Sequence, residues 1–174
     1  MATIILYGDL NDKKITNLLI NKLEGRYNIV YFSRHKLISY KVKNANETVI
    51  IIETDSLEFI DSYNTIFLFK NSINREININ IENDIQIIVF SQNIIAVDFL
   101  SNNHIKNIIT FGYRSTDTLT SSSFNNDKKT ICLQRQIHTI GGKAIEPFEF
   151  SIDDENEILN LLPIYGIKML LGDY

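Results

Sequence analysis

Four stretches of this chain, Thr3–Tyr7, Thr48–Ile52, Thr65–Phe69 and Ile85–Ser91, are short aliphatic and aromatic runs with almost no polar interruption. A strand with one wet face alternates apolar and polar residues. A continuous apolar run belongs instead to a strand covered on both faces, as in a parallel sheet between layers. Between the first runs, Ile15, Leu18, Leu19 and Leu23 form one apolar helical stripe that Gly25 would stop. Ile94–Leu100 suits a second helix. Strands alternating with helices through residue 100 predict an α/β fold with a mostly parallel sheet flanked by helices.

The remaining elements are read more locally. Asn28–Ser33 is a strand, Tyr40–Val42 a short one, and Leu57–Ile60 a helical turn. Residues 73–84 alternate Ile with Asn and Glu and are an exposed edge or a loop. Lys106–Phe111 is again a strand. After it the texture changes: Gly112–Ser123 is rich in Ser and Thr, Lys129–His138 alternates weakly, and Gly141-Gly142 marks a turn before Ala144–Ile152. A small antiparallel sheet is expected in the region of residues 108–152. Asp153–Leu171 reads as an amphipathic closing helix, with Asp153 or Asp154 as N-cap and a kink at Pro163.

At 174 residues the chain suits a single domain, 1–174, with a core that needs no staples. A net charge of −4 does not support a chain-wide basic surface, so no nucleic-acid or membrane partner is expected. Cys132 is the single cysteine, no Cys/His cluster has zinc-ligand spacing, and no apolar run approaches a membrane span. The N-terminus has no signal-like charged segment followed by an apolar core, and a cytoplasmic location is expected.

The first strand leads through Gly8 into Asp9-Leu10-Asn11-Asp12-Lys13-Lys14-Ile15-Thr16 and the first helix. A phosphate cradle of this form works through glycines that let backbone N–H groups converge, a lysine, and a hydroxyl that holds magnesium. Gly8 and Lys13 or Lys14 supply part of that set, and Thr16 the hydroxyl if the loop shifts past Ile15. Asn11 or Asp12 stands where an internal glycine is needed. A carboxylate about 4 Å from a phosphate costs about 4 kcal/mol at an effective dielectric near 20. The other reading of the same residues is a strand–turn–helix connection with a solvated tip.

Taken in order, the strand ends resemble the central, ATP-binding domain of the Mur ligases, which folylpolyglutamate synthetases share. The loop corresponds to that family's G-T-x-G-K followed by two Ser or Thr. Ile50-Ile51-Ile52-Glu53-Thr54-Asp55-Ser56 is similar to its strand ending in Glu, and Phe69-Lys70-Asn71 to its strand ending in T-N. Ile88–Asn93 resembles its V-x-N-x-D-D strand, and Thr110-Phe111-Gly112 with Asp117–Ser123 its T-F-G and the following Thr-rich strand. Asn160 to Gly172 has the span of its closing helix. The stretch Cys132–Arg135 with Ile145–Phe150 also resembles small uncharacterised Firmicutes proteins and brings no activity with it.

This resemblance implies a P-loop-NTPase-like α/β domain. It implies cofactor contacts by Gly8, Asn11, Lys13, Lys14, Thr16, Asn71 and Asn160, and magnesium binding by Glu53. From the residues alone, Glu53 equally caps the following turn and Asn71 is an ordinary polar strand end. Ser72–Arg75 contain neither the Asp nor the His of the family, and the chain matches only its central domain. Amide ligation requires an acyl phosphate and a positioned amine. The expectation is a catalytically degenerate module for binding or regulation, linked to cell-wall metabolism, with an unidentified protein partner and no required cofactor. The alternative is a minimal ATP-dependent ligase or nucleotide hydrolase completed by a partner, using ATP and magnesium. His35, His104 and His138 are scattered, Cys132 suits a core, and Ser121–Ser123, Arg114 and Arg135 suit a polar surface.

Overall fold

The structure, a computed structural model, describes residues 1–43, 45–82, 84–123 and 128–174, with Ser123 described through its backbone only. The chain begins β1 (Ala2–Tyr7), α1 (Lys14–Leu23), β2 (Asn28–Ser33), β3 (Lys36–Tyr40), β4 (Thr48–Thr54), β5 (Phe59–Ile60) and β6 (Thr65–Phe69). It continues with β7 (Asn80–Ile81), β8 (Gln86–Phe90), α2 (Ile94–Asn102), β9 (Ile108–Phe111), β10 (Leu119–Ser123) and β11 (Lys129–Leu133). The last elements are β12 (Ile137–His138), β13 (Ala144–Ile145), β14 (Phe148–Ile152) and α3 (Ile158–Leu171).

Among the described residues, ten strands form one mixed sheet in the order β14-β11-β10-β9-β8-β6-β1-β4-β2-β3. The stretch from β10 to β2 is parallel, as the continuous apolar runs require. Antiparallel strands close the edges: β3 on one side, β11 and β14 on the other. β12 and β13 make a separate small antiparallel sheet within 108–152, whereas the longer antiparallel strands of that region extend the main sheet.

Side chains of β1 go alternately to two cores. Ile4 and Leu6 join α1 and α3 on one face; Ile5 and Tyr7 join α2 on the other. That double covering makes a continuous run of apolar residues the stable choice, since a polar side chain on either face would lose its water. On the α2 side, Ile60, Ile73, Ile77 and Ile79 from the β4–β6 and β6–β8 connections complete the layer. No helix among the described residues is long and apolar enough to cross a membrane.

Several local readings change. Residues 57–60 are no helical turn: the Thr54 hydroxyl donates to the Ser56 carbonyl (2.7 Å) and accepts its N–H (3.2 Å), and β5 then pairs with β7. The stretch 73–84 therefore carries both a strand and three buried isoleucines, with Asn83 outside the described residues. The third strand is β3, starting at Lys36 rather than Tyr40. The closing helix starts at Ile158, not Asp153, because the Asp154 carboxylate accepts the Asn156 N–H (2.9 Å) and also pairs with Lys22. That local bond competes with helical geometry. Glu157 is the N-cap, and α3 runs on through Pro163 to Gly172. There Asp173 N–H reaches the Lys168 carbonyl and Gly172 N–H that of Met169, a Schellman closure.

Candidate functional site

β1 leaves the sheet toward β2 through α1, and its neighbour β6 leaves the other way toward β8. The crevice between their carboxyl ends is where open α/β sheets take ligands. In this protein a lysine fills it.

Gly8 and Lys70 extend the β1–β6 register by one step beyond Tyr7 and Phe69. Lys70 shares a face with Ile66 and Leu68, which directs its stem across Gly8 toward α1. A Cβ on Gly8 would lie 2.8 Å from the Lys70 Cβ, and Gly8 has φ +150°. The glycine that looked like the start of a phosphate cradle makes room for a neighbouring side chain. Gly8→Ala is expected to cost about 2 kcal/mol through overpacking and backbone strain, read as a lower urea midpoint.

The Lys70 ammonium is fully buried and donates to the carbonyls of Asp9 (2.9 Å) and Asp12 (2.7 Å) and to Glu53 Oε1. Glu53 is in turn 1% exposed. On β4 it alternates with Val49 and Ile51, so it faces α1 and accepts donors from three directions. Its Oε1 takes the Thr16 hydroxyl (2.6 Å) from the first turn of α1 besides Lys70. Its Oε2 takes Lys13 Nζ, from the N-cap position, and the Tyr31 hydroxyl from β2. Two oxygens receive four donors, which matches the lone-pair capacity of a carboxylate.

Burial by itself would raise the Glu53 carboxyl. The hydrogen bonds from Lys13, Lys70, Thr16 and Tyr31 outweigh it and hold the group down at about 2. Burial likewise opposes charge on Lys13, but its bonds to Glu53 and Tyr31 raise it above the ordinary lysine value. The Tyr31 phenol is pushed up by burial and then by its bond to Glu53. The cluster is thus an ionised carboxylate between two ammonium groups, with one net positive charge.

Loop polarity follows from this arrangement. Carbonyls of Asp9 and Asp12 point at Lys70, while the carboxylates of these residues turn back onto loop amides. Asp9 Oδ1 accepts the Asn11 N–H (2.9 Å) and Asp12 Oδ1 the Lys14 N–H (3.3 Å). A phosphate cradle aims N–H groups inward; this loop aims carbonyls inward, around a cation. Magnesium at Glu53 would have to displace an ammonium from a carboxylate that already accepts four donors.

Of the residues singled out from sequence, Gly8, Lys13, Thr16 and Glu53 meet in this one cluster. Asn11 and Lys14 are exposed beside it and contribute backbone amides to the two loop carboxylates. Asn71 lies in the turn two residues past β6, and its Oδ1, like the hydroxyls of Ser72 and Ser91, is buried with no hydrogen-bond partner among the described residues. Asn160 belongs elsewhere: its side chain bonds Glu157 (3.3 Å) in the first turn of α3. Cys132 is buried in β11; His35, His104 and His138 are exposed at separate places. The Ser123 side chain lies outside the described residues. No group of three or more His, Cys, Asp or Glu suited to a metal occurs among them.

Two members were not legible as site residues. Lys70 follows five wholly buried residues of β6, a position where an unpaired lysine is hardly ever found. That burial was the available signal. Tyr31 gave none, because a tyrosine in a strand is ordinary core.

Beside the cluster, between α1 and the β2–β3 hairpin, opens a cleft of about 400 Å³. Lys13 and Thr16 from the start of α1 and Arg34, His35 and Lys36 from the hairpin are among the residues that line it. The sequence matches no protein-family model, and a search of curated proteins finds no relative.

Proposed function

We propose that this chain is a catalytically degenerate domain related to the Mur ligase central domain, acting as a binding or regulatory module. The observation that carries the reading is the Lys70 ammonium inside the loop, bonded to the Asp9 and Asp12 carbonyls and to Glu53. A nucleotide phosphate and a buried ammonium make opposite demands on a loop's backbone, and here the backbone serves the ammonium. What supports the reading is that β1, a polar loop and α1 follow one another while the Lys70 ammonium occupies the inner face of that loop. On this reading, whatever link the protein has to cell-wall metabolism runs through binding rather than amide ligation.

Calorimetry with millimolar ATP and magnesium is expected to show no binding heat, and purified protein no ATP hydrolysis. Hydrolysis that disappears in the Lys13→Ala/Lys14→Ala double variant would overturn the proposal and establish the alternative, a minimal ATP-dependent enzyme completed by a partner.

A further inference from the structure

The cleft beside the loop combines apolar walls with cationic side chains. Its walls are apolar and aromatic, with Leu10 and Ile20 on one side and Tyr31, Ile38 and Tyr40 on the other. Strand register explains the second wall: Ile38 pairs with Tyr31 and Lys36 with Ser33, so β3 residues 36, 38 and 40 share the face that β2 turns toward α1. The cleft stays open because α1 packs on the strands inside this edge and leaves β3 uncovered; Ile38 keeps 39% exposure.

Lys13, Arg34, His35 and Lys36 line the cleft as well, and among the described residues no Asp or Glu does. Lys13 is already matched by Glu53, and Arg34 by Asp55 at 2.6 Å. Lys36 and His35 have no partner among the described residues. Behind the cleft wall, the buried Lys70 shares the single carboxylate of Glu53 with Lys13, which leaves a further positive charge. All this sits on a chain whose net charge is −4. Exposed cations of one sign beside low-dielectric walls concentrate their field in the concavity. The volume lies in the range of small-molecule sites, roughly 300 to 1,000 Å³.

We propose that this cleft, rather than the loop, is the protein's ligand site, and that it takes a small organic anion with a flat apolar body. The body lies between the Tyr31–Ile38–Tyr40 wall and Ile20; a phosphate, sulfonate or carboxylate group meets Lys36 and His35. This rests on the binding-module reading above and gives that module a ligand class.

Naphthyl phosphate is a suitable probe, followed by amide NMR spectra of the full chain without magnesium, beside naphthol and inorganic phosphate as its separate halves. Saturable shifts are expected at residues 10–20 and 31–40, with binding about tenfold or more tighter than either half. Lys36→Glu, at an exposed edge position, should weaken it about tenfold with an unchanged melting temperature, and added salt should weaken it in the wild type. No saturable shift, equal binding of naphthol, or an unaffected Lys36→Glu variant would overturn the inference. Magnesium-dependent ATP shifts confined to residues 8–14 would instead strike the degenerate-loop reading and leave the cleft result standing.

Discussion

Glu53→Gln is expected to cost the fold about 3–5 kcal/mol, the usual penalty for breaking a buried ion pair from one side. The variant keeps the shape of the side chain and removes its charge. Lys13, partly exposed, can turn its ammonium to water, but Lys70 cannot: its side chain has no exposed surface, and it is left with the Asp9 and Asp12 carbonyls and a neutral amide oxygen, with no counter-charge. In a domain of this size the loss corresponds to a melting temperature lower by about 10 °C. Lys70→Met alone should cost less, about 3 kcal/mol, because Glu53 retains Lys13, Thr16 and Tyr31. In the Glu53→Gln background, however, Lys70→Met should restore stability, since it removes the uncompensated charge. This reversal of sign in a urea-unfolding cycle is the decisive reading. Simple additivity would show that the two residues do not interact, and losses below about 1 kcal/mol would mean a solvated tip whose charges water already satisfies.

Acid should unfold the wild type through the same carboxylate. Folding lowers Glu53 from an ordinary value of 4.5 to about 2. A group depressed in this way contributes its stability fully above the unfolded value and loses it as the pH falls toward the folded one. The displacement corresponds to about 3 kcal/mol, lost between about pH 4.5 and pH 2. Urea midpoints measured across this range should fall steeply for the wild type and much less for Glu53→Gln, which has no such proton to take up. Parallel curves for the two proteins would mean that another carboxylate governs acid sensitivity. Asp154, also held below its ordinary value despite burial by Lys22 and Asn156, is the group to vary next.

The continuous apolar runs are local facts with a global meaning, and so the α/β class and the central strands were legible. A side chain pattern without a wet face fits little except a sheet covered twice. The stripe of Ile15, Leu19 and Leu23 likewise specified α1. What failed were segments whose conformation depends on distant partners: β5 exists because β7 lies beside it, and α3 starts late because Asp154 is engaged by its own turn and by Lys22.

At the site the division is sharper. Sequence alone determined that a strand, a glycine, a polar loop and a helix follow one another at Gly8–Thr16, and that Glu53 ends a buried strand. Those properties depend on neighbours in the chain. Only the tertiary structure decided what the loop faces. The alignment of β6 beside β1 places Lys70 against Gly8, and once that ammonium is buried its charge needs oxygen ligands. The nearest are Glu53 and the carbonyls of Asp9 and Asp12. Desolvation of one charge, brought in from a strand far along the sequence, set the polarity of the whole loop.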